Sequence, residues 1–231
     1  MQRKWIPLAV FFAILLVFLA HLGGRISAVP AFTYAAEEKI VYLTFDDGPS
    51  TLVTERVLDT LKEENIKATF FIVGKNIAGR ESTLRRIAAE GHTLGVHSDT
   101  HVYSDIYASK ETFLRDVDRC AERIIEVTGV TPRYYRFPGG GLGHEKEYAP
   151  LLAQKGYRVK GWNAVCGDGE TAGANADMLV AKAASTAKGR RSVVLLCHDA
   201  AGHFATADAL PRIIAHFREE GYVFRSFSAD S

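Results

Sequence analysis

From residue 39 onward the chain alternates short β-rich runs with amphipathic stretches, and no other feature restricts its fold so tightly. The runs are KIVYLTFDD, KATFFIVG, HTLGVHS, RYYRFPGG, YRVKGWNAV, RSVVLLCHD and YVFRSFS. Between them lie segments such as TLVTERVLDTLKEENI, ESTLRRIAAEG and KETFLRDVDRCAERIIEVTG. In the first of these, Leu52, Val53, Val57, Leu58 and Leu61 recur at helical spacing with charges between them, which marks a helix with one apolar face. Gly91, Gly129, Gly156 and Gly221 follow helix-like segments where a left-handed cap belongs. Strand then helix, repeated along the chain, predicts a parallel α/β fold, and no internal repeat, linker or low-complexity tract divides residues 39–228.

The ends of the chain read differently. Arg3, Lys4 and Arg25 precede the first acid, Glu37, and the other 25 basic residues then face 27 acids. A remainder without a basic stripe argues against a nucleic-acid binder, whose phosphate contacts need one. MQRK is followed by WIPLAVFFAILLVFLA without a charge and then by small residues, the pattern of a secretory signal with Ala31 or Ala35 near its cleavage point. The same stretch approaches the ~17 residues that can span a bilayer, so an uncleaved anchor is the second reading. The expectation is therefore a signal peptide or membrane anchor over residues 1–36, a catalytic domain over 37–231, and an exported monomer that meets a membrane only through that segment. Cys120, Cys166 and Cys197 are too few for a disulfide framework and read as buried apolar residues, with Cys166 to Cys197 the one bridge to check.

Chemistry-bearing residues gather where strands end. Asp46, Asp47, His97, Arg136, Asp168 and His198 all fall at or just beyond the C-terminal ends of the expected strands, the rim where parallel α/β folds build their sites. In FDDGPS two adjacent strand residues point to opposite faces, so Asp46 and Asp47 cannot both decorate one surface. A turn or cap before Gly48-Pro49 explains one aspartate and not two. HSDTH sets His97 and His101 four apart, close enough to share one ion on a helix or tight loop, and Asp47 can complete a two-histidine, one-carboxylate set for a divalent metal. Asp46 then stands free to take a proton from water. LLCHD ends a strand on His198, a candidate general acid, with Leu196 on the same face as an apolar wall and Asp168 able to hold the other ring nitrogen. In RFPGGG, Arg136 can orient Asp46, and the glycines let a main-chain N–H approach a developing oxyanion.

In this order TFDDGPS, HSDTH, RFPGG, WNAVCGD and LLCHD resemble the motifs of the polysaccharide deacetylases of carbohydrate esterase family 4, the NodB-homology domain, over residues 38–228. The resemblance implies a distorted (β/α)7-type barrel and the removal of acetyl groups from a polysaccharide. It makes Asp46 the catalytic base, Asp47, His97 and His101 the ligands of one divalent ion, Zn²⁺ first and Co²⁺ as a substitute, and His198 the acid tuned by Asp168. Arg136 orients the base, the Gly139 N–H is the oxyanion donor, and Pro138, Leu196 and Trp162 complete the substrate-binding set. Two positions depart from the pattern. Gly139 stands where an aromatic residue usually follows the proline, and Asp168 is followed by Gly169, with Gly161 rather than an aspartate before Trp162. Both open the sugar groove. Export points to peptidoglycan as the polymer. The rivals are a chitin-oligosaccharide or acetylxylan deacetylase and a catalytically weak cell-wall glycan-binding protein. A metalloprotease is disfavoured because HSDTH lacks the glutamate of HExxH.

Overall fold

The computed structural model describes residues 38–170 and 173–228, so the expected signal or anchor over residues 1–36 lies outside the described residues. Eight strands form one sheet with every pair parallel: β1 (Lys39–Asp46), β2 (Thr69–Val73), β3 (Thr93–Ser98), β4 (Tyr134–Tyr135), β5 (Arg158–Val159), β6 (Ala164–Val165), β7 (Ser192–His198) and β8 (Tyr222–Arg225). The helices are α1 (Val53–Glu63), α2 (Glu81–Ala89), α3 (Tyr103–Ile106), α4 (Lys110–Thr128), α5 (Glu145–Gln154), α6 (Ala176–Ala187) and α7 (Phe204–Glu219). No helix among the described residues is long and apolar enough to cross a membrane.

The sheet order is β5-β4-β3-β2-β1-β7-β6, with β8 beside the first half of β1. β5 and β6 are its two ends, yet only residues 160–163 separate them in the chain. A flat sheet would hold those ends roughly 29 Å apart at ~4.8 Å per strand step, and the connection stretches at most about 18 Å. The sheet must curl. The result is a half-barrel whose mouth is crossed by the chain and not by a hydrogen-bond ladder, as the distorted barrel reading expects.

One of the seven expected runs, YRVKGWNAV, gives two strands. Its middle leaves the sheet because the Lys160 and Gly161 carbonyls accept from the Arg136 guanidinium, at 3.1 and 2.9 Å, so neither is open to a neighbouring strand. On either side the pairing resumes, with Lys160 N–H bonded to Tyr135 and Asn163 N–H to Val194.

Strand alternation sorts the side chains. Val41, Leu43, Phe45, Phe70 and Ile72 face outward into a core shared with the helices, where Val57, Leu58, Leu61, Ile213 and Phe217 lie buried. Tyr42, Phe71 and Tyr134 face the interior, where Phe227 from the chain beyond β8 stacks on Tyr42 and packs on Tyr134. Gly95 makes that filling feasible, since a Cβ there would lie 2.6 Å from the Phe71 ring. The glycines expected as caps all adopt left-handed φ, and Gly129 closes α4 by bonding to the Ile125 carbonyl. All three cysteines are buried free thiols, and the Cys166–Cys197 bridge is not formed.

Candidate active site

β1 and β7 pair in register from Ile40–Ser192 to Asp46–His198, so the base and acid candidates end neighbouring strands at the same level. Asp46 points into the half-barrel and is 2 % exposed. There Arg136, fully buried at the end of β4, donates to Asp46 Oδ1 at 2.8 Å and to Thr44 Oγ1 at 2.8 Å. The guanidinium also lies over the Phe71 ring at 4.2 Å. Its donors are thus divided among a carboxylate, a hydroxyl and two carbonyls, which satisfies a charge that could not otherwise be buried. Asp46 Oδ2 remains for the cleft.

Strand alternation ought to send Asp47 to the other face. It does not, because Asp47 follows β1 with φ of 72°, and this left-handed step turns its carboxylate back beside Asp46. Asp47 Oδ1 is buried without a hydrogen-bond partner, 3.1 Å from His101 Nε2 and 3.4 Å from His97 Nε2. His97 Nδ1 lies 2.8 Å from the Arg136 carbonyl, which can only accept, so the proton sits on Nδ1 and Nε2 offers a lone pair. Burial holds His101 below the usual histidine pKa against the pull of Asp47, favouring the neutral ring. Acceptor atoms of Asp47, His97 and His101 therefore converge with no protein donor aimed at the carboxylate oxygen, a set that fits a divalent cation.

The HSDTH loop is shaped from α4. Asp116, a carboxylate on the apolar face of that helix, accepts from Ser98 Oγ at 2.7 Å, Asp99 N at 2.9 Å, and Thr100 N and Oγ1 both at 3.1 Å. Ser98 Oγ in turn accepts from His101 N at 2.9 Å, and His101 is held at φ of 55°. Asp116 was not picked out from sequence, although a charge between Phe113 and Val117 on a buried stripe is a signal that could have found it.

On the opposite wall, Asp168 accepts from His198 Nδ1 at 2.8 Å, His198 N at 2.7 Å and Thr206 Oγ1 at 2.7 Å. Burial alone would lower the His198 pKa, but the bond to Asp168 and the charges of Asp168, Asp46 and Asp47 raise it to about 9. Burial likewise works to raise Asp168, and the His198 and Thr206 donors overcome it and hold the carboxyl below its usual range. His203 stacks on His198 with ring centres 5.3 Å apart. Asp168, His198 and His203 also lie close enough together for a cation, but here every short contact of the carboxylate has a donor, so the group is an imidazole–carboxylate pair.

A cavity of about 260 Å³ joins these walls, lined among others by Asp46, Asp47, His97, His101, Asp168 and His198. Leu196, Trp162, Val165 and Tyr103 give it apolar sides, and Gly139 stands at its edge with φ of 60°. Pro138 is buried in the turn and is not among the lining residues; its carbonyl accepts from Tyr107, while Phe137 reaches the cavity. Gly169 lies so near the imidazole that a Cβ would be 3.0 Å from His198 Cε1. Asp199, the last residue of LLCHD, is a further group that sequence reasoning left without a role. It is fully buried beneath the Gly48-Pro49 turn, and Thr54 Oγ1 donates to its Oδ2 at 2.6 Å. Burial, with the charges of Asp47 and Asp46 adding to it, raises its pKa to about 7 in spite of the Thr54 bond.

A parallel half-barrel that collects a buried carboxylate, a carboxylate–dihistidine set and a carboxylate-held imidazole on one rim defines a hydrolase. The chain belongs to the polysaccharide deacetylase family, whose model matches residues 33–160. It is 31% identical to a peptidoglycan-N-acetylglucosamine deacetylase of Bacillus cereus, over 84% of this chain and 71% of that one. It is 30% identical to the peptidoglycan-N-acetylglucosamine deacetylase PgdA of Listeria monocytogenes over 85% of this chain, although that stretch is only 40% of PgdA. Among solved structures, a carbohydrate esterase family 4 esterase of Streptococcus mutans superposes with a TM-score of 0.77 at 32% identity, covering 83% of this chain and 87% of that one.

Proposed function

We propose that this protein is an exported, metal-dependent deacetylase that removes N-acetyl groups from N-acetylglucosamine residues of peptidoglycan. The observation that carries the proposal is the convergence of Asp47 Oδ1, buried without a hydrogen-bond partner, with two imidazole nitrogens, between Asp46 on one side and His198 on the other. Asp47, His97 and His101 would hold the cation, zinc being the ion best suited to two imidazoles and one carboxylate. When bound it supplies a Lewis acid that acidifies water and polarises an acyl oxygen.

The remaining chemistry belongs to the chain. Arg136 holds Oδ1 of Asp46 through its N–H, leaving Oδ2 to accept the proton of the attacking water. The Gly139 N–H stabilises the oxyanion of the tetrahedral intermediate, and the acetyl methyl rests against Leu196. With Nδ1 tied to Asp168, His198 presents Nε2 to the cleft and protonates the departing nitrogen as the C–N bond breaks. Water and an acetamide become acetate and a free amine. One chain supplies every group named, which supports the reading of a monomer. The peptidoglycan assignment draws on the activities of the relatives and on the leader-like residues 1–36; chitin oligosaccharides, which offer the same acetamide chemistry on another glycan, are the alternative.

The test is acetate release by the protein stripped of metal and reloaded with zinc or cobalt, on peptidoglycan and chitin oligosaccharides side by side, with Asp46→Asn as the blank. Metal-dependent release from peptidoglycan is expected. Release from chitin oligosaccharides alone would change the substrate, and release from neither polymer would overturn the activity.

A further inference from the structure

The opposite end of the half-barrel carries a second cavity, of about 690 Å³, built where strands begin. Its walls include Lys39 at the start of β1, Tyr222 at the start of β8, and the KGRR loop between α6 and β7. We propose that this rim docks on a bilayer rich in anionic phospholipid headgroups and so sets the orientation of the enzyme.

Charge is the first argument. Lys39, Lys188, Arg190 and Arg191 line the cavity against one carboxylate, that of Glu220. Glu220 is itself taken up by Lys39, whose Nζ lies 3.9 Å from its carboxylate and donates to its carbonyl at 2.8 Å. Lys188 and Arg190 are exposed, and Arg190 Nε donates to the Thr186 carbonyl at 3.1 Å. Such a cluster suits phosphate groups arrayed on a surface, where each cation strengthens attachment roughly fivefold.

Shape and sequence choose a bilayer over a dissolved polyanion. Behind the cationic rim lie Ala181 and Ala184, small apolar side chains that let the headgroup boundary approach closely. The described chain also enters the domain at this rim, at Glu38 and Lys39, and the uncharged run from Trp5 to Ala20 lies a short way upstream. The inference thus rests on the reading of that run as a retained anchor. Docked this way, β1 rises from the surface and ends at Asp46, which lifts the cleft roughly 25 Å toward the wall polymer at ~3.3 Å per residue.

The experiment follows amide hydrogen exchange over residues 38–42 and 186–192 in the full chain reconstituted into phosphatidylcholine vesicles with and without an equal share of phosphatidylglycerol. Exchange at both stretches should slow at least about tenfold on the anionic vesicles. The double variant Lys188→Glu, Arg190→Glu should lose that slowing and keep unaltered acetate release from soluble peptidoglycan fragments, so a failure of docking is distinguishable from a failure of catalysis. Equal exchange on the two vesicles overturns the proposal. So does slowing by soluble polyphosphate without slowing on vesicles, which would make the rim a site for an anionic polymer.

Discussion

Asp46 and Asp47 are adjacent carboxylates with different partners, and one backbone angle lets them share a site. Asp46 stays in the strand and meets Arg136; Asp47 steps into left-handed φ and meets the two histidines. Replacing Asp46 with Asn keeps the size and removes the proton acceptor, so turnover should fall by about 10²–10⁴ while bound metal, measured by elemental analysis, is unchanged. Normal turnover in that variant would overturn the assignment of the base. His198 makes a second prediction with a definite sign. Its pKa is raised to about 9 by Asp168 and the neighbouring carboxylates, so it is protonated at neutral pH and would lose the acid role proposed for it as pH rises through that value. In Asp168→Asn the principal raising influence is gone and burial pulls the other way, so the alkaline limb of kcat should move to lower pH. An unmoved limb would show that another group sets it.

Segments that form by local pattern were legible, and those that depend on distant partners were not. Helix α1 follows from its apolar spacing, and the strand ends announce Asp46, His97 and His198 because a parallel fold leaves only one rim for them. Nothing near YRVKGWNAV in sequence reveals that Arg136 will claim two of its carbonyls, so the break between β5 and β6 was hidden. Asp116 was hidden for the same reason, since its partners at residues 98–100 lie on another element. The resemblance supplied roles for Gly139 and Trp162 that spacing alone could not. Asp116 also carries a prediction: Asp116→Ala strips acceptors from donors around a buried loop, which should cost about 1–3 kcal/mol in urea unfolding and weaken metal affinity through His101. Unchanged affinity would mean that the loop keeps its shape without the helix. At Gly95 the argument is steric. Gly95→Ala drives a methyl into Phe71 and should cost about 1–3 kcal/mol. An unaltered midpoint in the same titration would mean that Phe71 has room to move.

The half-barrel places its cation set between elements that fold far apart in sequence, with Asp47 after β1 and the histidines on and beyond β3. A ligand bound there joins them only in the native state, because the unfolded chain does not hold the three acceptors together. Binding is therefore linked to unfolding by mass action. At a free ion concentration near 100 times Kd the native state gains about 2.7 kcal/mol. For a domain of this size that raises Tm by about 5–10 °C. Calorimetry of the stripped protein with and without zinc should show that rise, and a chelator should reverse it. Asp46→Asn should retain the shift, since Asp46 is held by Arg136 and not by the ion, whereas His101→Ala should lose most of it. A shift that survives His101→Ala would place the ion elsewhere. The absence of any shift in the native sequence would mean that three converging acceptors are not enough, and the hydrolytic scheme would then lose its Lewis acid.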